Sequence, residues 1–167
     1  PAMAGKVVAC VTWQIFPAIL NAGRSKFPLW VSGGHSRLPG LSPRLQDIER
    51  WMQDIPTKSR DEHYDGFAFH AALELVRLHQ PRLLYLALGE ADTNGHGRRY
   101  GKYLDAIRRS DRFIRELWEH LQTLPQYRGT TTMIITTDHG RGSTPADWIH
   151  HSETVPGSEE TWLAVLG

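Results

Sequence analysis

At 167 residues the chain is long enough to bury the core of one domain. With 40% hydrophobic and 22% charged residues it has the mix of an ordinary globular protein, not of a disordered or low-complexity one. A net charge of +1 leaves no argument for a nucleic-acid partner or an anionic membrane surface, and a single cysteine excludes an internal disulfide framework.

In chain order, Lys6 to Thr12 is a β-branched run that predicts a strand, with Cys10 inside it as a buried, inert thiol. Ile15, Ile19 and Leu20 follow at helical spacing, and Phe27 to Ser32 predicts a short second strand ended by Gly33-Gly34. Residues 35 to 64 mix Pro, Ser, Arg and Asp around an amphipathic patch at Ile48 to Met52, and read as an irregular surface excursion. From Gly66 a helix is expected, with Phe69, Ala72, Leu73 and Val76 on one stripe and Pro81 as its stop. Leu83 to Leu88 predicts a buried strand, Tyr100 to Leu124 a long helix, Thr131 to Thr137 a further strand, and Trp162 to Leu166 the last. The long helix carries its apolar stripe on Tyr103, Leu104, Ile107, Ile114, Leu117, Trp118 and Leu121.

Strands alternating with helices, each short and continuously apolar, predict an α/β fold: a mostly parallel sheet flanked by helices on both faces, as one domain over residues 1–167. No segment approaches the roughly 20 apolar residues of a membrane span, and no signal peptide opens the chain. The chain enters a strand almost at once after Pro1 and stops at Leu166-Gly167 directly after another, so the expectation is an internal piece of a longer protein.

In open α/β sheets, ligands gather beyond the carboxyl ends of the strands. Two Asp/His pairs lie at such ends: Asp92 and His96 after the Leu83–Leu88 strand, Asp138 and His139 after the Thr131–Thr137 strand. Asp138 and His139 can face one rim at a strand-to-loop corner, whereas Asp92 and His96 are expected to need a tight bend, for which Gly95 supplies the freedom. A third histidine is wanted, and His150-His151 supplies a candidate from a later loop. Carboxylate oxygen and neutral imidazole nitrogen suit Zn²⁺, and also Mn²⁺ or Fe²⁺; a structural zinc site would bring cysteines, so the expectation is a catalytic site with open positions. Two divalent ions about 4 Å apart would clamp a phosphoryl or sulfuryl group. The other histidines lack the pattern: His70, His79 and His120 fall within helices as surface or packing residues, His63 lies in the irregular segment, and His35 is a weaker candidate for the rim.

The segment Gly89-Glu90-Ala91-Asp92-Thr93-Asn94-Gly95-His96-Gly97, together with Thr136-Thr137-Asp138-His139-Gly140, resembles the alkaline phosphatase superfamily, which includes phosphatases, nucleotide pyrophosphatases/phosphodiesterases, sulfatases and cofactor-independent phosphoglycerate mutases. The similarity runs from about Lys6 to the end, and the stretch from His150-His151 through Val155-Pro156-Gly157 to Trp162-Leu163-Ala164-Val165 looks like its phosphatase/mutase-type members.

The resemblance implies that Asp92 and His96 bind one metal with a downstream histidine, His151 ahead of His150, and that Asp138 and His139 bind a second. It implies two divalent ions, Zn²⁺ first and Mn²⁺ or another as options, and a small-molecule phosphate ester as substrate, without a structural nucleic-acid partner. A Ser or Thr nucleophile and a further Asp belong to the superfamily pattern and are expected upstream of Pro1. Thr12 and Ser32 lie at strand ends but lack a neighbouring Asp, so the catalytic nucleophile is left unassigned. This chain is expected to be the C-terminal portion, truncated at the N-terminus, binding metal with little turnover. Sulfatase, mutase and non-catalytic binding roles are the rivals. Arg141 is a candidate contact for an anionic substrate; Asp111, read as lying on the apolar stripe, and Glu90 are candidates to orient ligand groups. Substrate, metal identity, compartment and oligomeric state are not fixed by the sequence.

Overall fold

The computed structural model describes residues 7–20, 24, 29–31, 40–57 and 63–167. The chain divides into two compact units, Pro1–Glu90 and Ala91–Gly167. Ser32, Gly33-Gly34 and His35 lie outside the described residues.

The first unit is built on β1 (Val7–Val11), which pairs in parallel with β2 (Leu29–Val31) on one side and β3 (Leu83–Ala87) on the other. As the middle strand, β1 is buried on both faces, which is why it is continuously apolar. Its alternate residues divide between two sides, as the pleat requires. Val8 and Cys10 join Leu45, Ile48, Met52, Ala71, Ala72 and Leu75, while Ala9 and Val11 pack with Phe16, Leu20 and Ala87. Burial drives the Cys10 thiol pKa far up, so it is the inert core residue expected.

A short helix, α1 (Phe16–Ile19), follows β1. The irregular excursion expected over 35–64 contains a 12-residue helix instead, α2 (Pro43–Asp54). Ser42 starts it by accepting from the Leu45 N–H, and Pro43 sits at its first turn, where a missing N–H costs nothing. Helix α3 (Asp65–His79) ends one residue before the turn that Pro81 enforces: Gln80 takes the left-handed conformation at φ 45° and donates its N–H to the Val76 carbonyl.

Glu74 joins α3 to α2. Its buried carboxylate accepts from the Ser42 hydroxyl at 2.7 Å and from Arg77 Nε and Nη2 at 2.9 and 2.7 Å. The Arg77 hydrogen bonds hold the Glu74 carboxyl below its ordinary value, with Ser42 helping and burial opposing. A carboxylate depressed on folding adds stability above its unfolded pKa, about 4.3, and that stability is lost as the pH falls through the folded value. Glu74→Gln is therefore expected to lower stability by about 1–2 kcal/mol at pH 7, a figure kept modest because Arg77 is largely exposed. The gap between the two proteins should close in urea titrations below about pH 4; a gap that stays constant down to pH 3 would sink the account.

The second unit holds α4 (Glu90–His96, whose first residue closes the first unit), α5 (Tyr100–Thr123), β4 (Met133–Thr136) and β5 (Leu163–Leu166). β4 and β5 pair antiparallel, with Ile134 opposite Val165 and Thr136 opposite Leu163. This corrects the expectation that the last strand extends a parallel sheet. Burial alternates along both strands, with Ile134, Leu163 and Val165 exposed, whereas the apolar run in the sequence predicts cover on both faces.

On α5 the buried residues are Ala106, Phe113, Leu117 and Leu121, and Ile107 is exposed. Asp111 lies two residues from Phe113, about 200° around the helix, and is exposed, 4.0 Å from Arg115. It is a solvent-facing carboxylate, and its expected orienting role is withdrawn. His70 is exposed and His79 and His120 are half-buried, in keeping with surface or packing positions. No described helix is long and apolar enough to cross a membrane.

Candidate metal centre

Gly89 and Glu90, which close the first unit, are held by an exchange of hydrogen bonds. The buried Asp65 carboxylate accepts from the Gly89 and Glu90 N–H groups at 2.7 and 3.2 Å, and Glu90 Oε2 accepts from the Asp65 N–H at 2.8 Å. A carboxylate at the two N–H groups that open a helix satisfies donors with no intrahelical partner. Through this oxygen Glu90 fixes backbone. Thr12 is buried beside Gly89, where a Cβ would come within 2.9 Å of the Thr12 hydroxyl.

Asp92 and His96 sit on α4 itself, not on either side of a tight bend. A separation of four residues puts both side chains on one helical face, and His96 Nε2 lies 3.4 Å from Asp92 Oδ2. The helix ends in a Schellman motif: Arg99 N–H bonds the Asn94 carbonyl, Arg98 N–H the Gly95 carbonyl, and Arg98 takes φ 56° where glycine is usual.

His139 follows β4 and bonds through Nδ1 to the Gly140 carbonyl at 2.8 Å. A carbonyl only accepts, so Nδ1 carries the proton and Nε2 presents its lone pair. That atom lies 3.7 Å from Asp92 Oδ1, and also 3.7 Å from Asp138 Oδ2. His151 stacks on His139, ring centroids 3.7 Å apart and planes 10° from parallel. Its Nε2 is 3.5 Å from Asp92 Oδ1 and 2.8 Å from His96 Nε2. Burial first, then the neighbouring His139, holds the His151 pKa below its ordinary value, partly offset by Asp92, which favours the neutral ring that a metal ligand has to be.

Asp92, His139 and His151 offer ligand atoms that all lie within 4.8 Å of one another. A tetrahedral ion with bonds of about 2.0–2.1 Å spaces its ligand atoms about 3.3 Å apart. The distances of 3.5 and 3.7 Å from Asp92 Oδ1 to His151 and His139 fit that spacing, the 2.8 Å between His96 Nε2 and His151 Nε2 is shorter than it, and a donor set of carboxylate and imidazole fits a divalent transition ion.

The structure thus gathers Asp92, His96, His139 and His151, drawing on both expected pairs. Asp138 is 90% exposed and accepts only its neighbour's N–H among the hydrogen bonds seen, with Oδ2 at the margin of the cluster. His150 is exposed outside it, its N–H on the Asp147 carbonyl. His63 lies apart from these residues in sequence and donates its N–H to the Thr12 carbonyl.

Arg141 is turned inward. Its side chain is 11% exposed, and Nη2 bonds both the carboxylate and the backbone carbonyl of Asp92. Several glycines make the surrounding approaches possible. A Cβ at Gly140 would overlap the Gly157 carbonyl and come within 2.5 Å of the Glu160 carbonyl; one at Gly157, which has φ 94°, would lie 2.7 Å from the Arg141 carbonyl. Gly140 and Gly157 enter the sequence reading only as parts of motifs, without a packing role of their own.

A family model described as Type I phosphodiesterase / nucleotide pyrophosphatase matches residues 2–163. No curated protein and no solved structure matches the chain.

Proposed function

Because this chain belongs to the type I phosphodiesterase / nucleotide pyrophosphatase family, within the alkaline phosphatase superfamily, we propose that it is a metal-dependent phosphoester hydrolase domain acting on phosphodiester or pyrophosphate bonds of small molecules. The observation that carries this reading is that Asp92, His139 and His151 offer ligand atoms within 4.8 Å of one another, with His96 adjoining, so that members of both Asp/His pairs stand side by side. Residues 1–167 are taken as part of one such domain.

In this reading Asp92, His96 and His151 hold one divalent ion, Zn²⁺ before Mn²⁺, and His139 with Asp138 contributes to a second. Such ions, when bound, stabilise charge on the entering and leaving oxygens of an in-line displacement and lower the pKa of the attacking group. The chain's own part is to hold the imidazoles and the Asp92 carboxylate preorganised. The His139 tautomer is set by Gly140, and the Asp92 carboxylate is fixed by its neighbours. The nucleophile is not assigned.

Uptake of Zn²⁺ or Mn²⁺ by metal-free protein, measured by equilibrium dialysis, should reach at least one tightly held ion per chain. Inorganic phosphate should then raise the melting temperature of the loaded protein and leave the metal-free protein unmoved. A chain that takes up no ion, or one that phosphate stabilises equally without metal, would overturn the reading; a response to sulfate matching that to phosphate would move it to sulfuryl esters.

A further inference from the structure

We propose that Arg141 is a positioning residue for Asp92, not a substrate contact, and that its guanidinium joins the three segments that carry the cluster. The inference rests on the metal-binding reading above. Arg141 belongs by sequence to the turn that presents Asp138 and His139. Its Nη2 bonds the carboxylate and the backbone carbonyl of Asp92 on α4, and its Nη1 donates to the Trp148 carbonyl at 3.3 Å, three residues before His151. One planar group therefore connects the helix of Asp92 and His96, the turn of His139 and the loop of His151.

Three further observations bear on this. Both Nη2 hydrogens go to Asp92, so that nitrogen has none left for an anion. The guanidinium occupies space that any larger residue than glycine at 95 would take: a Cβ there would lie 2.6 Å from Cζ and 2.7 and 2.9 Å from Nη1 and Nη2. Gly95 is itself buried, and the guanidinium carbon lies 5.8 Å from the centre of the Tyr103 ring, within cation–π range. An arginine that must reach a variable substrate is not built in on every side.

The chemistry explains why arginine occupies this position. A rigid fork reaches a carboxylate, its own backbone carbonyl and a second loop at once, and it stays charged at any working pH. Lysine would keep the charge and lose the span. Removing the outer partner of a metal ligand weakens metal binding about 10–100-fold, because the ligand no longer waits in its bound orientation.

The test uses the whole chain, stripped of metal and titrated with Co²⁺, whose visible absorption reports the geometry of its ligands. Arg141→Lys is expected to bind Co²⁺ about 10–100-fold more weakly than the parent, with an altered visible band. Gly95→Ala keeps the arginine but pushes its guanidinium away. The obstructing atoms are the far end of a flexible side chain, and alanine favours helix, so α4 is expected to stay folded and to show the same loss. If Arg141→Lys does not fold, Gly95→Ala alone decides. Parent-like affinity and spectrum in the folded variants would overturn the positioning role and leave the metal site standing. That includes the case in which Arg141→Lys weakens only phosphate binding, which would assign the residue to substrate. A parent that binds no Co²⁺ would overturn the metal reading and this inference with it.

Discussion

Replacing Asp92 with asparagine is expected to abolish the stabilisation that Zn²⁺ or Mn²⁺ confers on this chain. Asp92 is the carboxylate that faces His96, His139 and His151, and the amide that replaces it keeps the shape while removing the negative charge and half of the acceptor capacity. In the parent, a ligand held at a hundredfold excess over its Kd adds about 2.7 kcal/mol to the folded state, which for a chain of this size is a rise of about 5–10 °C in melting temperature. The variant should show none of that rise. It should also melt lower than the parent without metal, because the guanidinium of Arg141 is left without its charged partner. Asp92 is partly exposed, so that cost is expected near 2 kcal/mol and not at the 3–5 kcal/mol of a fully buried pair. Thermal melts with and without metal separate the two effects. His151→Ala should behave as Asp92→Asn does, while His150→Ala, altering a ring outside the cluster, should keep the rise. An Asp92→Asn protein that gains as much from metal as the parent would show that the ion binds elsewhere.

Gly140→Ala is expected to cost at least about 3 kcal/mol, the upper range of overpacking penalties, and to leave the second unit poorly folded. A Cβ at this position meets main chain, the carbonyls of Gly157 and Glu160, and not the end of a side chain that could swing aside. The Gly140 N–H also donates to the Ser158 carbonyl at 2.8 Å, and the Gly140 carbonyl holds Nδ1 of His139. Any shift that relieves the overlap therefore disturbs the loop and the imidazole together. Gly101→Ala makes the matching control: it lies in α5, a Cβ there meets nothing within 4 Å, and a gain of about 0.5–1 kcal/mol is expected from the restricted unfolded chain. Urea unfolding of the two variants beside the parent should move the midpoint in opposite directions. Equal, small shifts for both would mean that the approach of the 157–160 loop to Gly140 is not close in solution.

Much of this was legible from the residues, for reasons that also explain the rest. β1, β3, α3 and α5 carry their own periodicity, and each lies within a residue or two of where hydrophobic spacing places it. Helix α2 is announced by Ser42-Pro43, but its apolar positions are diluted by charge, so composition reads as loop. Asp111 was misplaced because the stripe of α5 centres on Ala106 and Phe113, a rotation that seven apolar candidates along the helix do not determine. The direction of β5 is a tertiary fact, since an apolar run of four residues says nothing about whether its partner runs with it or against it. Asp92, His96, Asp138, His139 and His151 stand out in the sequence because carboxylate and imidazole have few other reasons to recur at strand ends. Their grouping was less legible: which oxygen meets which nitrogen depends on how separate loops fold back, and the glycines that allow this carry no chemistry of their own.

Placing Asp92 and His96 on a helix makes their separation a matter of register. One residue added or removed between them would turn His96 by about 100° around the axis and slide it about 1.5 Å along it, taking its nitrogen off the shared face. A loop would absorb the same change by bulging. Length variation in this region can therefore be accommodated between the segments that carry the candidate ligands but not within this one, and the spacing of four is a distance measured by the backbone ladder of α4.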